Sequence, residues 1–282
     1  MQILDGKKVA TKLFGELKPR VQALKKHGIN PKLVFFLIGE NPASQAYVRM
    51  KQKASEEIGI VSQILKYEES VSQEEILEKI EALNQDQTVH GMMIQLPLPQ
   101  HLSVPQITRA MDPKKDADGF QAYNLGKMFL GKEFEDLPPA TALGIIRLID
   151  AYDIDVKGMD VTVLGRSNLI GKPISVMLIN RSATVTVCHS KSKHIEDHCR
   201  RADMIIAATG TPKLVKKDWV KKDAIVIDAG YAQLNGEACG DVDFEAVAAQ
   251  CSWITPVPGG VGPMTIYAIV ENTVRAAERQ IS

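Results

Sequence analysis

The segment from Val161 to Pro173 constrains the fold of this chain more than any other. It reads Val-Thr-Val-Leu-Gly-Arg-Ser-Asn-Leu-Ile-Gly-Lys-Pro, and this order predicts a strand, a tight loop and a helix. Such a loop directs backbone N–H groups and the positive end of a helix toward one point, which suits a phosphate. The spacing Gly-x-Ser-x-x-x-Gly differs from the common Gly-x-Gly-x-x-Gly, so its meaning depends on the surrounding sequence.

Bulk composition limits the class of protein. The chain has 282 residues, of which 45% are hydrophobic, enough for one large domain or two ordinary ones. Basic and acidic residues both number 34, so no net charge favours nucleic acid or an anionic membrane. No apolar run approaches the roughly 20 residues of a membrane span, and the N-terminus lacks a signal-peptide pattern. We therefore expect a cytoplasmic protein without nucleic-acid or membrane partners.

The four cysteines form no Cys-x-x-Cys pair, and isolated thiols in a chain of this length fit a reducing cytoplasm. One crowded group invites a zinc interpretation: Cys188, His189, His194, His198 and Cys199. The spacing of His194 and His198 would place both on one helix face. Because no second ligand pair has zinc-finger spacing, we expect no metal and favour an ordinary polar helix end.

Hydrophobic periodicity predicts alternating helices and strands in both halves of the chain. In the first half we expect helices over residues 6–27, 42–58 and 72–83, and strands over residues 33–38, 61–67 and 91–96. In the second half we expect strands over residues 161–164, 184–188, 204–207 and 224–228, and a last helix over residues 263–280. Between them lie a proline-rich stretch, residues 97–139, and a helix over residues 141–151 capped by Thr141. This order predicts an α/β protein with parallel sheets.

The end of the second strand in the second half indicates which dinucleotide binds. Folds that take NAD usually place an acidic residue there, which accepts hydrogen bonds from the ribose 2′-hydroxyl. Here the strand is followed by Ser190, Lys191 and Lys193 instead. Arg166 in the first loop points toward the same corner, and cations with a hydroxyl form a cradle for a phosphate. This pattern predicts NADP rather than NAD; the alternative is that the lysines are only a solvated strand end.

Small residues follow the next two strands, at the edge where ligands of such sheets bind. They are Thr209 with Gly210, and Gly230 with Tyr231. Small residues let a cofactor approach the backbone, and Tyr231 could contact the nicotinamide end. Either turn taken singly could also form without a ligand.

Three features of the first half point to chemistry. Tyr47 and Lys51 share a helix face, and a phenol near an ammonium can move protons because each shifts the pKa of the other. Gln95 ends an apolar strand, where its amide needs a partner. Asp118 lies beside a glycine turn, where its carboxylate can accept N–H bonds from a heterocycle. The alternatives are an exposed helix surface for the pair and simple turn formation for Asp118. Short-chain dehydrogenases are disfavoured, because their Tyr-x-x-x-Lys follows the nucleotide loop.

Together these motifs resemble the bifunctional methylenetetrahydrofolate dehydrogenase/methenyltetrahydrofolate cyclohydrolase (FolD) family over nearly the whole chain. The resemblance rests on Asn-Pro-Ala-Ser at 41–44 with Tyr47 and Lys51, Gln-Leu-Pro-Leu-Pro at 95–99, Lys-Asp-Ala-Asp-Gly at 115–119, Gly-Arg-Ser at 165–167 and Gly-Pro-Met-Thr at 262–265. The resemblance implies two αβα domains with an active-site cleft between them. Residues 1–139 and 263–282 would form the folate-binding catalytic domain, and residues 140–262 a Rossmann-type NADP-binding domain. The family is typically homodimeric, paired through the cofactor domain.

The resemblance also implies the reaction and its residues. NADP⁺ would oxidise 5,10-methylenetetrahydrofolate, and the 5,10-methenyl product would be hydrolysed to 10-formyltetrahydrofolate, within one-carbon metabolism that serves purine biosynthesis. The implied catalytic residues are Lys51, Tyr47 and Gln95. The implied substrate-binding residues are Asp118, Ser44, Tyr47, Gly259, Gly260 and Pro263. The implied cofactor-binding residues are Gly165, Arg166, Ser167, Ser190, Lys191, Thr209, Gly210 and Tyr231.

One departure from the family pattern stands out. Where the family commonly has Pro-Cys-Thr-Pro-x-Gly, this chain has Pro-Ala-Thr-Ala-Leu-Gly, with Ala140 and Ala142. We expect the helix start and the chemistry to survive, although inter-domain stiffness or cofactor fit could differ. Two alternative functions are a monofunctional dehydrogenase that has lost hydrolysis and a non-catalytic NADP-binding regulator. The intact Lys51, Gln95 and Asp118 argue against the regulator.

Overall fold

The computed structural model describes residues 1–234 and 236–280. The helices are α1 Gly6–Lys26, α2 Pro42–Glu57, α3 Gln73–Gln85, α4 Val104–Ala110, α5 Ala122–Met128, α6 Ala140–Ala151, α7 Gly171–Ile179, α8 Ile195–Arg201, α9 Phe244–Ala248 and α10 Val261–Glu278. The strands are β1 Gln2–Ile3, β2 Lys32–Ile38, β3 Val61–Tyr67, β4 Gly91–Ile94, β5 Asp160–Leu164, β6 Thr184–Cys188, β7 Met204–Ala207, β8 Ile225–Asp228, β9 Ala232–Leu234, β10 Glu237–Cys239 and β11 Trp253–Ile254. Short 3₁₀ turns lie at Pro113–Lys115, Lys132–Phe134 and Lys217–Trp219. No helix among the described residues is long and apolar enough to cross a membrane.

The chain divides into two compact units. The first unit comprises residues 1–11, 128–134 and 141–265, and the second comprises residues 12–127, 135–140 and 266–282. The units differ from the predicted domain division mainly at residues 1–11 and 128–134, which belong to the first unit. Residues 281–282 of the predicted catalytic domain lie outside the described residues. The predicted functional boundaries stay a prediction.

The first unit is built on a six-stranded parallel sheet with the order β1-β11-β8-β7-β5-β6. β5 lies between β6 and β7, so the strand order reverses beside it, at the point where α/β sheets bind ligands. Val161 and Val163 are buried, and α7 and α8 pack on β5 and β6. The sequence did not predict the pairing of Gln2–Ile3 with Trp253–Ile254. Two-residue strands have no period from which to recognise them.

The second unit contains a three-stranded parallel sheet with the order β3-β2-β4. The middle strand β2 is buried along nearly its whole length, as its continuous apolar run predicts. Helix α2 packs on β2 and β3. Ser72 caps α3 by accepting a hydrogen bond from the N–H of Glu75 at 3.1 Å. The predicted βαβαβ order and parallel pairing are confirmed.

Two predicted boundaries are wrong, each for a local reason. Strand β4 ends at Ile94, so Gln95 lies just beyond it, although the Gln95 N–H still donates to the Phe36 carbonyl at 3.0 Å. Thr141 is inside α6 and does not cap it. The Ala140 N–H at the helix start instead donates to the Asp118 carbonyl at 3.0 Å. The antiparallel pair β9–β10 and the short helices α4, α5 and α9 were not predicted.

Candidate active site

Helix α2 presents one polar stripe to the interior of the second unit. Asn41 caps the helix by accepting from the N–H of Ser44 at 3.0 Å, and Pro42 occupies the first turn, where its missing N–H costs nothing. Ser44 and Lys51 are buried, and Tyr47 is half-buried. The predicted pair therefore lies on an inward face and not on an exposed helix surface.

The Lys51 side chain is held by side chains on three sides. Its ammonium Nζ donates to Gln95 Oε1 at 3.0 Å, lies 3.5 Å from Met93 Sδ and lies 4.6 Å from the centre of the Tyr47 ring. Only 3% of Lys51 is exposed. This burial lowers the pKa of Lys51 to about 8, although the negative charge of Asp118 acts in the opposite direction. At neutral pH about a tenth of the molecules would carry the neutral amine.

The neighbours of Lys51 are themselves fixed. Gln95 donates from Nε2 to the Leu96 carbonyl at 2.7 Å, which leaves Oε1 for Lys51. Burial and the charge of Asp118 raise the pKa of Tyr47 to about 12, so its phenol stays protonated. Burial raises the pKa of Asp118 to about 6, the charge of Lys51 opposing it. The structure thus brings Lys51, Tyr47, Gln95 and Asp118 into one electrostatically coupled cluster.

The turn that carries Asp118 is organised by a second carboxylate, Asp116, which the sequence analysis missed. Its carboxylate is 2% exposed and accepts from the N–H of Gly119 at 2.9 Å, the N–H of Gln121 at 2.7 Å and Asn124 Nδ2 at 3.1 Å. Gly119 has a φ of 73°, and a Cβ there would meet the Pro138 carbonyl at 2.4 Å, so only glycine fits. An acidic residue two positions before an Asp-Gly turn was the available sequence signal.

The opposite side of this turn is tied to α10. Asn272 Nδ2 donates to the carbonyls of Ala117 at 3.0 Å and Pro138 at 2.9 Å. Ala140 and Ala142, which replace the usual cysteine and proline, are buried. The Ala140 N–H still holds the Asp118 carbonyl, so the helix start persists despite the substitution.

A pocket opens beside Asp118. Apolar side chains such as Met93, Leu96, Ile107 and Met111 line it together with Asp116 and Asp118. The Asp116 carboxylate is occupied by the donors of its own turn. Asp118 is therefore the carboxylate of this pocket that can accept N–H groups from a ligand.

In the first unit, the loop after β5 is shaped by backbone contacts. Gly165 has a φ of 115°, and a Cβ at this position would meet the Ala208 carbonyl at 2.2 Å. Ser167 Oγ accepts from the N–H groups of Ile170 at 3.1 Å and Gly171 at 3.3 Å, at the start of α7. Ser167 therefore organises the loop, and its hydroxyl hydrogen remains to donate to a ligand. Arg166 is exposed in the same loop.

The predicted phosphate cradle lies at the carboxyl end of β6. Ser190 and Lys191 are exposed, and the turn is closed by the Lys191 N–H donating to His189 Nδ1 at 3.1 Å. The neighbouring Gly165 N–H donates to the Cys188 carbonyl at 2.8 Å, so the two loops start from adjacent strand ends. A 2′-phosphate needs cations and hydroxyl donors, which Arg166, Lys191 and Ser190 can supply. The sequence segment after β6 also lacks an acidic residue that would repel such a phosphate.

Thr209, Gly210 and Tyr231 follow the carboxyl ends of β7 and β8, as predicted, and all three are exposed. The sequence analysis missed two buried carboxylates behind them. Asp241 accepts from Thr209 and Gly210, and Asp228 accepts from Gly230. Burial raises the pKa of Asp228 to about 6, three backbone N–H donors opposing it.

Gly259, Gly260 and Pro263 belong to the first unit, whereas Ser44, Tyr47 and Asp118 belong to the second. Gly259 accepts through its carbonyl from the Lys7 N–H at 3.0 Å, and a Cβ on Gly6 would meet the Gly260 carbonyl. The glycines thus have a packing role against the start of α1. Their role in substrate binding stays a prediction.

The zinc interpretation finds no structural counterpart in the described part of the chain. His194 precedes α8 in a left-handed conformation with a φ of 53°, so it does not share the helix face of His198. No group of three metal-binding side chains occurs among residues 1–234 and 236–280. All four cysteines are free thiols.

Each unit is built on a sheet of parallel strands. One unit has a loop of the dinucleotide-binding type, and the other has a buried lysine beside an amide and a carboxylate. This combination is typical of a nucleotide-dependent α/β enzyme. Residues 4–118 match the family model of the tetrahydrofolate dehydrogenase/cyclohydrolase catalytic domain, and residues 139–281 match that of its NAD(P)-binding domain. The chain therefore belongs to the tetrahydrofolate dehydrogenase/cyclohydrolase family.

Relatives and solved structures agree with this assignment. The chain is 47% identical to the bifunctional protein FolD of Campylobacter concisus over 283 residues, 100% of this chain and 99% of the relative. It is similar to the crystal structure of the bifunctional FolD enzyme of Campylobacter jejuni, with a TM-score of 0.97, 46% identity and 99% of each chain covered. It is also similar to the Trypanosoma brucei enzyme solved with NADP and an inhibitor, with a TM-score of 0.93, 33% identity, and 98% and 97% of the chains covered.

The family assignment confirms four predictions made from the sequence. They are the family itself, the α/β fold with parallel sheets, a combined dehydrogenase and cyclohydrolase of folate one-carbon metabolism, and NADP as the cofactor. The monofunctional alternative is not favoured, because the relatives above are bifunctional and both family models match.

Proposed function

We propose that Lys51, Gln95, Tyr47 and Asp118 carry the folate chemistry of this protein and that the exposed loop residues of the first unit hold NADP. The reactions are oxidation of 5,10-methylenetetrahydrofolate to the 5,10-methenyl form and hydrolysis of that form to 10-formyltetrahydrofolate. One observation carries the assignment: a buried lysine with a pKa of about 8 donates at 3.0 Å to an amide oxygen beside a carboxylate.

Hydrolysis needs a group that removes a proton from water. The neutral Lys51 amine accepts one proton of the water as the water oxygen bonds to the methenyl carbon. The hydroxyl of the adduct then loses its proton while the bond from this carbon to N5 breaks and N5 takes up a proton, which leaves the formyl group on N10. Gln95 holds the lysine in place through Oε1, and the Tyr47 phenol, which stays protonated, would donate a hydrogen bond to the substrate. Asp118 would accept N–H groups of the bound ring and orient it. Ser44, which lies on the same buried stripe of α2 as Lys51, would also contact the substrate.

Oxidation needs apposition of two carbon centres rather than proton transfer. NADP⁺ supplies the hydride acceptor when bound. On this chain, the pyrophosphate would be held by the Gly165–Ser167 loop and the start of α7, and the 2′-phosphate by Arg166, Ser190 and Lys191. Thr209, Gly210 and Tyr231 would contact the nicotinamide half, and Gly259, Gly260 and Pro263 the folate.

A side-by-side assay tests both the reaction and the cofactor. NADPH or NADH formation is followed with methylenetetrahydrofolate and either NADP⁺ or NAD⁺, and methenyl loss is followed separately without nucleotide. We expect reduction of NADP⁺ at a kcat/KM at least tenfold above that for NAD⁺, and hydrolysis without nucleotide. No reduction of either nucleotide would leave only a binding protein, and reduction without hydrolysis would favour the monofunctional dehydrogenase.

The setting of this activity is also part of the proposal. We infer a homodimer paired through the cofactor domain, acting in the cytoplasm to supply purine biosynthesis without nucleic-acid or membrane partners. The balanced charge supports the lack of nucleic-acid and membrane partners, and the free thiols support a reducing compartment.

We also propose that residues 1–139 and 263–282 form the catalytic domain and that residues 140–262 form the cofactor domain. Light scattering on the purified protein checks the dimer, and a monomeric mass would contradict it.

A further inference from the structure

Two buried aspartates connect the loops that follow β7 and β8 of the first unit. Asp241 is 0% exposed and Asp228 is 3% exposed. Neither belongs to the residues to which the proposed function gives a role. Buried carboxylates need several hydrogen-bond donors, and here the donors are backbone N–H groups of turns.

Asp241 holds the loop after β7. Its Oδ2 accepts from the Thr209 N–H at 2.5 Å, the Thr209 hydroxyl at 2.9 Å and the Gly210 N–H at 3.1 Å. Its other oxygen, Oδ1, is buried and has no hydrogen-bond partner among the described residues. The N–H groups of Thr209 and Gly210 therefore both point inward to one carboxylate oxygen. These two hydrogen bonds fix the orientation of the turn and so determine which of its atoms face solvent.

Asp228 connects the next strand to the same carboxylate. Its Oδ1 accepts from the N–H groups of Gly230 at 2.9 Å and Asp241 at 3.0 Å, and its Oδ2 accepts from the Val242 N–H at 2.9 Å. Asp228 thereby joins its own turn to residues 241–242, and Asp241 joins those residues to Thr209. The two side chains form a continuous connection between the carboxyl ends of β7 and β8.

The glycines of these segments leave the space that the carboxylates need. A Cβ on Gly230 would lie 2.2 Å from the carboxylate of Asp241, and a Cβ on Gly240 would lie 2.0 Å from Asp228 Oδ2. Both distances are far below van der Waals contact, so each glycine permits one carboxylate to lie against the backbone. Two glycines and two buried carboxylates thus form the link between the carboxyl ends of β7 and β8.

We propose that Asp241, supported by Asp228, is a positioning residue that sets the loop Thr209–Gly210 and the turn before Tyr231 in the geometry that binds NADP. The inference rests on the proposed function, in which these loops contact the cofactor. Asp241 acts through the loop backbone and does not touch the substrate. Its loss should weaken NADP⁺ binding and leave folate hydrolysis in the second unit intact.

The test compares D241A with D218N and the unaltered protein. Asp218 is exposed and pairs with Arg200 on the surface of the same unit, so D218N controls for loss of one carboxylate. Three quantities are measured: the KM for NADP⁺ in dehydrogenation, the Kd of NADP⁺ by calorimetry, and the rate of methenyl hydrolysis without nucleotide. For D241A we expect KM and Kd to rise at least tenfold, with hydrolysis within twofold of the unaltered protein.

The outcomes separate a positioning role from a purely structural one. The proposal is overturned if the KM and Kd of D241A lie within twofold of those of the unaltered protein. It is also overturned if dehydrogenation and hydrolysis fall in parallel while the KM is unchanged, because a smaller folded fraction gives that result.

If D241A does not fold, D241N decides by the same measurements. The carboxamide introduced by D241N cannot both accept from all the donors at Oδ2 and find acceptors for its own amide hydrogens. A rise of at least threefold in KM therefore supports the proposal, and an unchanged KM overturns it. A failure of the proposed function is distinct, because the unaltered protein would then not reduce NADP⁺ at all.

Discussion

The candidate sites of the two units differ in the kind of residue that forms them and in the burial of those residues. In the second unit the site consists of buried ionisable side chains, among which Lys51 and Asp118 have pKa values of about 8 and about 6. In the first unit the side chains proposed to contact the nucleotide are exposed and lie on turns. Close backbone contacts set the shape of these turns, as where Gly165 packs against the Ala208 carbonyl. The difference fits the roles that we propose for the two sites, since proton transfer needs tuned charges whereas nucleotide binding needs a shaped backbone.

This contrast makes the two sites separable by substitution. A change among the buried charges should alter chemistry, and a change in the first-unit loops should alter nucleotide affinity. Four sets of substitutions test the contrast, and each has a readout in one or both activities.

The largest effect is expected from K51M. Removing the amine removes the group that we propose as the acceptor of the proton from water, so hydrolysis should fall by about 10²–10⁴-fold. Hydride transfer needs no proton acceptor and should keep a measurable rate. The control is K53M on the same helix, because Lys53 is exposed and pairs with Glu57 on the surface. Retained hydrolysis in K51M would remove the lysine from the mechanism.

G165A should be next in size, and its effect should fall on the other activity. A Cβ would meet the Ala208 carbonyl at 2.2 Å, and the φ of 115° is strained for alanine. Strain of about 1–3 kcal/mol at the loop corresponds to a fall of about 5–150-fold in kcat/KM for NADP⁺. G15A is the matched control, since a Cβ at Gly15 has nothing within 4 Å. Equal loss of hydrolysis would show that the loop supports both sites.

Cofactor selectivity should respond to the exposed cations. In R166A and K191A the KM for NADP⁺ should rise about fivefold to tenfold, with the KM for NAD⁺ unchanged, because only NADP carries the 2′-phosphate. K222A serves as control, because Lys222 is exposed but precedes β8 and lies at the opposite, amino edge of the sheet. An equal rise for both nucleotides would assign these cations to the pyrophosphate instead.

The smallest effect is a shift in a pH profile. Well below its pKa, the neutral fraction of Lys51 grows tenfold for each pH unit, so hydrolysis should rise with pH, reach half its maximum near pH 8 and level off above that pH. In Q95L the ammonium loses its acceptor, which destabilises the charged form and lowers the pKa further. The inflection of hydrolysis against pH should therefore move below that of the unaltered protein. A shift to higher pH would contradict the assigned hydrogen bond.

Sequence reasoning recovered the parts of the fold that have a period or a motif. The strands Val61–Tyr67, Thr184–Cys188 and Met204–Ala207 have the predicted bounds, because each is an apolar or β-branched run between turn residues. Motifs that lie far apart in the chain also identified Lys51, Gln95 and Asp118 as candidate site residues, and the structure brings these three together.

What the sequence did not reveal depends on tertiary contacts. Asp116, Asp228 and Asp241 each accept backbone N–H groups of turns, and nothing in a local pattern says which turn will lie next to a carboxylate. The β1–β11 pairing joins chain segments about 250 residues apart through two residues each. The start of α6 was misplaced because its first N–H donates to the carbonyl of Asp118, a partner outside the helix.

The central claim is that burial lowers the proton affinity of Lys51 to a value suited to hydrolysis near neutral pH, while Gln95 holds the side chain in place. The most direct test is an NMR titration of the Lys51 side chain in protein carrying isotope-labelled lysine, with the resonance assigned from its loss in K51M. The account predicts an inflection near pH 8. An inflection near the ordinary lysine value of 10.5 would contradict it.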